Sequence, residues 1–438
     1  MRDVQALFVW LQRRGWSQAQ IASLTGQSQP EVSAIIKGRK VTAYPVLLRV
    51  ADGSGIPRGY LGLSSCIACD GTGPDARSHD TEGDDPMFRR AFLAAAGAVA
   101  AGGALDGVQR LFPDPVPSAR ALPARVGVAE VAQVRATIAH FRALDYRHGY
   151  GSALDAARGY FGWANGLLGA RMSEATARDL RIVLADLHVM IAFDYHEGGR
   201  PTGARRHHAQ ALVLAREAEE PALVGTILSD TAIVSMDNGD PREAIRLAGF
   251  GLLATDTDGV TPAVHAMLRL QEALARARLA DERGVRDALS RADDDVARTD
   301  AAAVPPWASS AYIVASHPGA HAGMRAHALA ELARTPAFRG CAQTAVENAG
   351  TAIAAYDGQR SWTGHAFDRM YLASAQLRAG GRDEGLATAN DLLDQAAATL
   401  SSPRSRTRLT GLADAAHLYT GHSDADDLRS RIAALTAA

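Results

Sequence analysis

Apolar positions in this chain recur at helical spacing, and valine and isoleucine never gather into alternating runs, so helices are predicted and no sheet. Within "QPEVSAIIK", residues 29–37, Val32, Ile35 and Ile36 fall at i, i+3 and i+4 and define an inward face. Gln29, Ser33 and Lys37 share the opposite stripe. From about Leu180 the pattern settles into helix, short Gly/Asp turn, helix, over and over, with turns reading "EGGRPTGAR", "NGDPREAI", "LADERGVRDAL", "AGGRDEGL" and "TGHSDADDL". Gly198, Gly239 and Ala280 are about 41 residues apart, and Gly380 to Gly421 repeats the step. Each turn leads into an amphipathic helix with alanine at its close-contact position, as in "REAIRLAGFGLL" and "DEGLATANDLL". A lone hairpin of this kind cannot bury its apolar face, so neighbours are expected to stack. "AVPPWASSAYIVASHPGAHAG" breaks the rhythm and marks an irregular repeat or a longer loop.

The first forty residues follow a different plan. Ser17 with Gln20, and Ser28 with Glu31, read as capping boxes that start two short helices within twelve residues. Trp16 is placed to staple onto Ile21, Gly26 supplies the left-handed residue that ends the first helix, and small Ala22 permits a close crossing. A helix this short is unstable alone, so its polar stripe must be presented by a scaffold.

These residues resemble the phage-repressor/Cro-type (XRE) helix-turn-helix. The "SQAQIA" opening, the turn Gly26, the "SQPEVS" start and Lys37-Gly38 stand where that family has them, and "LLRVADGSGIPRGYLGL" is similar to its closing segment. The repeating body resembles degenerate tetratricopeptide (TPR) repeats. The resemblance implies an all-α protein: a five-helix repressor-type domain over 1–63, a flexible linker over 64–86, an apolar helix and Pro-rich connector over 87–125, and an α-solenoid of TPR-like hairpins over 126–438. It further implies that the second short helix enters the major groove of double-stranded DNA. Gln29 and Ser33 would then read base edges, Pro30 and Ala34 would offer only apolar contact, and Ser17, Gln18, Lys37, Arg39 and Lys40 would hold phosphate. Pro30 departs from the family, which usually has a polar residue there.

Charge agrees with that placement. Residues 1–60 carry eight Lys/Arg against three Asp/Glu, a surplus of five positive charges on a chain of net charge −2, leaving −7 on the remainder. A basic head on an acidic body is what phosphate binding predicts. At 438 residues, with 47% hydrophobic and 21% charged, the chain has room for several domains and an ample core.

Three cysteines make no disulfide framework, and nothing at the N-terminus reads as a signal peptide, so a cytoplasmic protein is expected. "FRRAFLAAAGAVAAGGAL", residues 88–105, reads like a twin-arginine export signal, but it follows a complete domain and is too short and Gly/Ala-rich to span a membrane. It is expected to pack as a small-residue helix on the body or on a second subunit. Cys66 and Cys69 form a CxxC in the linker, half of a zinc knuckle with no second half nearby; the alternative is an unligated pair. No phosphate loop, nucleophile elbow, HExxH or complete metal set occurs, so neither catalysis nor a cofactor is expected. The adjacent His207 and His208 lack metal spacing, and "RADDDVA" at 291–297 reads as a solvated helix face.

A stack of hairpins offers a concave groove lined by the first helix of each pair. Asp186, His188, Tyr195, Asp230, Arg269, Asn348 and Tyr371 are the polar candidates for it. By resemblance to peptide-pheromone regulators, an asparagine there would pair with a peptide backbone. The expected function is a homodimeric DNA-binding transcriptional regulator whose repeats sense a peptide, small molecule or protein. The alternative is an interaction protein that sequesters a partner and binds DNA weakly.

Overall fold

The computed structural model describes residues 4–13, 17–41, 43, 46, 47, 49, 50, 86–103, 108–113, 120–148, 151–300, 318–356, 362–396, 400 and 402–437. Among them regular structure is helical, apart from one isolated bridge between Arg125 and Arg171. The chain divides into two compact units, Met1–Asp80 and Thr81–Ala438.

In the first unit α1 (Val4–Arg13), α2 (Gln18–Thr25) and α3 (Gln29–Ile36) pack on one another, and residues 46, 47, 49 and 50 are helical again. Gly26, at φ 62°, ends α2, with the Gln27 N–H donating to Ala22 O at 3.0 Å. At the start of α3, Glu31 reaches back to accept from the Ser28 N–H (2.8 Å) and hydroxyl (2.7 Å), completing the expected capping box. Phe8, Ile21, Ala22, Val32, Ile35, Leu47 and Val50 are buried together. Ile36, expected inside, is only partly buried. Trp16, the Gln20 side chain, a fifth helix, and Cys66 and Cys69 all lie outside the described residues.

The second unit opens with α4 (Pro86–Ala100), then α5 (Val128–His148) and α6 (Leu154–Gly166). Antiparallel hairpins follow: α7 (Glu174–Glu197) with α8 (Pro201–Glu217), α9 (Pro221–Asp237) with α10 (Pro241–Ala254), and α11 (Pro262–Arg278) with α12 (Glu282–Ala297). Then come α13 (Pro318–Leu332) with α14 (Cys341–Tyr356), α15 (Trp362–Ala379) with α16 (Arg382–Ala396), and α17 (Pro403–Ala416) with α18 (Ser423–Ala437). Each first helix packs on the next first helix, and α17 also returns to touch α7.

The turns explain the regular step. Gly199, Glu219, Gly239 and Ala280 adopt positive φ (70°, 52°, 80° and 56°). The next N–H in each case bonds five residues back, as from Arg200 to Tyr195 O (2.8 Å) and from Asp240 to Ser235 O (2.9 Å). Proline then opens the following helix at 201, 221 and 241, where its missing N–H is harmless. The left-handed residue of the first turn is Gly199, whereas Gly198, at φ −75°, is the helix cap.

The small-residue stretch is a packed helix. Phe92 and Ala96 of α4 are fully buried, α4 lies on α8 and α10, and a Cβ on Gly97 would stand 3.1 Å from the Phe250 ring. Arg89 of the arginine pair donates to Glu243 (2.6 and 3.0 Å) and pairs with Asp240, while Arg90 is exposed. No described helix is long and apolar enough to cross a membrane.

Candidate functional site

The outward face of α3 is set by what faces inward. With Val32 and Ile35 sealed, Gln29 and Pro30 are exposed on the first turn and Ser33 and Ala34 partly exposed on the next. Lys37, Arg39 and Lys40 are exposed just behind. Ser17 is exposed and Gln18 partly so at the start of α2. Glu31, the one carboxylate on α3, is held below its usual pKa by the Ser28 N–H, then by the Ser28 hydroxyl, with Arg39 and Arg49 adding to the effect. Arg49, which sequence reasoning did not single out, lies over the turn with its Cδ 3.4 Å from the position of a Cβ on Gly26. The result is a polar tip that carries one exposed carboxylate, Glu31, and is flanked by exposed cations.

The groove candidates separate when placed. Asp186 is buried and accepts both guanidinium arms of Arg142 on α5 (2.6 and 2.9 Å). His188 is fully buried, with Nδ1 3.0 Å from Nδ1 of His207 and its ring edge-on to Phe161. Tyr195 stacks on His207 and lies under the Arg200 guanidinium, against the close crossing at Gly203. Arg269 donates to Asp295 of its own hairpin partner (2.6 Å). Asn348 sits on the second helix of its pair and donates to Thr344 O one turn back (2.8 Å), so the expected peptide contact is not in the groove. Tyr371 stacks on His327 and lines a hollow of about 30 Å³ with Arg278 and Glu331. Of the seven, Asp230 alone lines the larger cavity described next.

That cavity, of about 220 Å³ and open to solvent on one side, is lined by first helices as the hairpin logic predicts: α9, α11, α13, α15 and α17. Ile233, Met267, Leu270, Leu274, Met324 and Phe367 make its apolar wall, and Ser229, Asp230, Gln271, His327, Arg404 and Arg408 its polar one. The arginines come from α17 and clasp the stack across more than 160 residues of sequence. Arg404 donates through Nε to Asp237 (2.9 Å) and pairs with Glu197, while Arg408 donates to both oxygens of Asp237 (3.1 and 3.2 Å). His196 completes the ring around Asp237 at 3.1 Å, and Phe367 lies under both guanidinia. Burial works to raise Asp237, yet Arg408, the His196 hydrogen bond and Arg404 hold it well below the usual carboxylate range. Asp230 goes the other way: burial pushes it up to about 7 against the pull of Arg142 and Arg404.

Elsewhere the interior holds titratable groups in neutral form. Burial takes His207 and His208 down to about 3, and burial followed by the neighbouring Asp145 takes Asp194 up to about 8. No group of His, Cys, Asp and Glu suited to a metal occurs among the described residues. The acidic run at 291–297 is not a plain solvated face, since Asp295 is buried against Arg269 and Arg298, and Asp293 pairs with Arg325. Apart from Asp295 with Arg298, one helical turn apart, these partnerships were not legible in sequence, because their members are scattered and each lies in an ordinary helical stretch.

The described residues thus define an all-helical protein of packed hairpins with a small helical unit at its head. No protein-family model matches the sequence, and no curated protein matches it either.

Proposed function

We propose that this chain is a sequence-specific DNA-binding transcriptional regulator, with a repressor-type helix-turn-helix at its head and a TPR-like hairpin solenoid as its effector-sensing and dimerising body. The observation that carries the reading is the outward face of α3. A helix too short to stand alone is anchored by buried Val32 and Ile35 and presents Gln29 and Pro30 to solvent with Lys37, Arg39 and Lys40 beside them. Exposed amide and hydroxyl groups suit base edges, and the flanking cations suit phosphate. A homodimer would pair two such heads on a palindromic operator, and an effector in the body would act by favouring one spacing of the heads.

The test is a mobility-shift assay on selected operator DNA over a range of salt concentrations. Selective binding that is lost in Gln29→Ala or Ser33→Ala supports the proposal. Weak binding that salt removes equally from every sequence points to the alternative, a partner-sequestering interaction protein. Exposed Pro30 on the same turn, able to give a base only apolar contact, is what favours that alternative.

A further inference from the structure

The 220 Å³ cavity holds polar groups that the architecture does not use. Ser229 is fully buried, and its hydroxyl makes no hydrogen bond among the described residues. Gln271 is 6% exposed, lines the same cavity and makes no hydrogen bond among the described residues. Asp230, beside Ser229 in sequence and partly buried, makes no hydrogen bond or ion pair among them and feels Arg142 and Arg404 only from a distance. Native interiors rarely leave such groups unsatisfied unless something else binds them.

Which ligand fits follows from the charges around it. A cation entering the cavity meets Arg404 and Arg408, fixed in place by Glu197 and Asp237. An anion finds both guanidinia already charge-balanced by those two carboxylates, and Asp230, which burial drives towards its neutral form, supplies no cation. Either would be a charge taken from water without a matched partner, which is heavily penalised. An uncharged polar head escapes both penalties, and Ser229, Gln271 and a protonated Asp230 each offer a donor and an acceptor to it. Opposite them, Met267, Leu274, Met324 and Phe367 offer a surface for an apolar body. At this volume the space suits a compact molecule better than an extended peptide.

We propose that this cavity binds a small uncharged amphiphile, its hydroxyl, amide or carbonyl head against Ser229, Asp230 and Gln271 and its apolar body against Met267, Leu274, Met324 and Phe367. The proposal deepens the effector-sensing reading and rests on it only for the regulatory consequence, since binding is measured on the full chain without DNA. Failure of operator binding and failure of ligand binding are therefore read separately.

The experiment uses N-phenyl-1-naphthylamine, a neutral fluorescent probe, titrated into the full-length protein and displaced by hexanamide, hexanoate or hexylammonium. Hexanamide is expected to displace the probe at a concentration at least about tenfold below either ion. Leu274→Trp, which fills the cavity, is expected to abolish saturable probe binding with circular dichroism unchanged. Should that variant misfold, Gln271→Leu provides the second reading: it keeps the probe but weakens hexanamide by about tenfold, because the amide head loses its partner. The proposal is overturned if wild-type protein shows no saturable probe binding, if either ion competes as well as the amide, or if Gln271→Leu leaves the amide preference intact.

Discussion

The two units handle polar groups in opposite ways. Among the described residues of the first unit, Thr25 is the one buried polar side chain, bonding back to Ile21 O at 2.7 Å; the cations around α3 all face water. The second unit takes its charges inside. Arg205 and Glu243 are fully buried against each other, and Glu197, Asp237, Arg404 and Arg408 close the stack. A charge left in water stays available to a partner, whereas a buried one is committed to the fold. Function in the head is therefore to be sought among exposed residues, and in the body among the few interior groups not so committed.

Four tests sharpen this contrast. The largest effect is expected from Asp237→Ala, which leaves Arg404, Arg408 and His196 facing an empty site; breaking a buried pair of this kind costs about 3–5 kcal/mol, to be read by urea denaturation. A loss below about 1 kcal/mol would mean the clasp is ornamental to stability.

Next is Gly203→Ala, whose Cβ would stand 2.4 Å from the Tyr195 ring, with a loss of about 1–3 kcal/mol from overpacking. The same change at Gly159, where nothing lies within 4 Å, should reverse sign and gain about 0.5–1 kcal/mol from helix propensity. If both glycines respond alike, the close crossing of α7 and α8 is wrong.

The third concerns pH. Asp194 keeps its proton to about 8 against 3.8 for a free aspartate, so ionisation removes stability as pH rises between those values. His207 and His208, held to about 3 against 6.5, resist protonation, so stability also falls as pH drops through that window. With two histidines acting below and one carboxyl above, thermal unfolding should show its maximum near pH 6.5 and decline on both sides. Asp194→Asn should flatten the alkaline limb; an unchanged limb would assign it to other groups.

Gln29→Ala should be the mildest for the fold, within about 0.5 kcal/mol, since its side chain is exposed. On the proposed function it nonetheless removes discrimination among DNA sequences. A large loss of stability would instead give Gln29 a structural role.

How far these features were legible in the sequence depended on range. Ser28, Glu31 and Gly26 act within one turn of the chain, and the capping box and left-handed stop formed as their spacing implied. The hairpin step was legible because a turn residue and a following proline recur locally. Placement in the groove was not. Asp186 looked free until Arg142, 44 residues earlier, was seen to hold it, and Asp295 looked solvated until Arg269 covered it. Periodicity says which face of a helix is polar and not which neighbouring helix answers it. Arg404 and Arg408 carried no local signal at all, because their partners stand on α7 and α9.

The return of α17 onto α7 sets a condition on how the protein is made. In an open array each hairpin rests on the one before it and can fold as it leaves the ribosome. Here Glu197 and Asp237 emerge long before Arg404 and Arg408, so the early hairpins wait with Asp237 met only by His196 and Arg278 until the last pair has been synthesised. Contacts joining such distant segments slow folding and tie its ends together. Shortening the chain at its C-terminus would therefore injure the hairpins at the beginning of the stack.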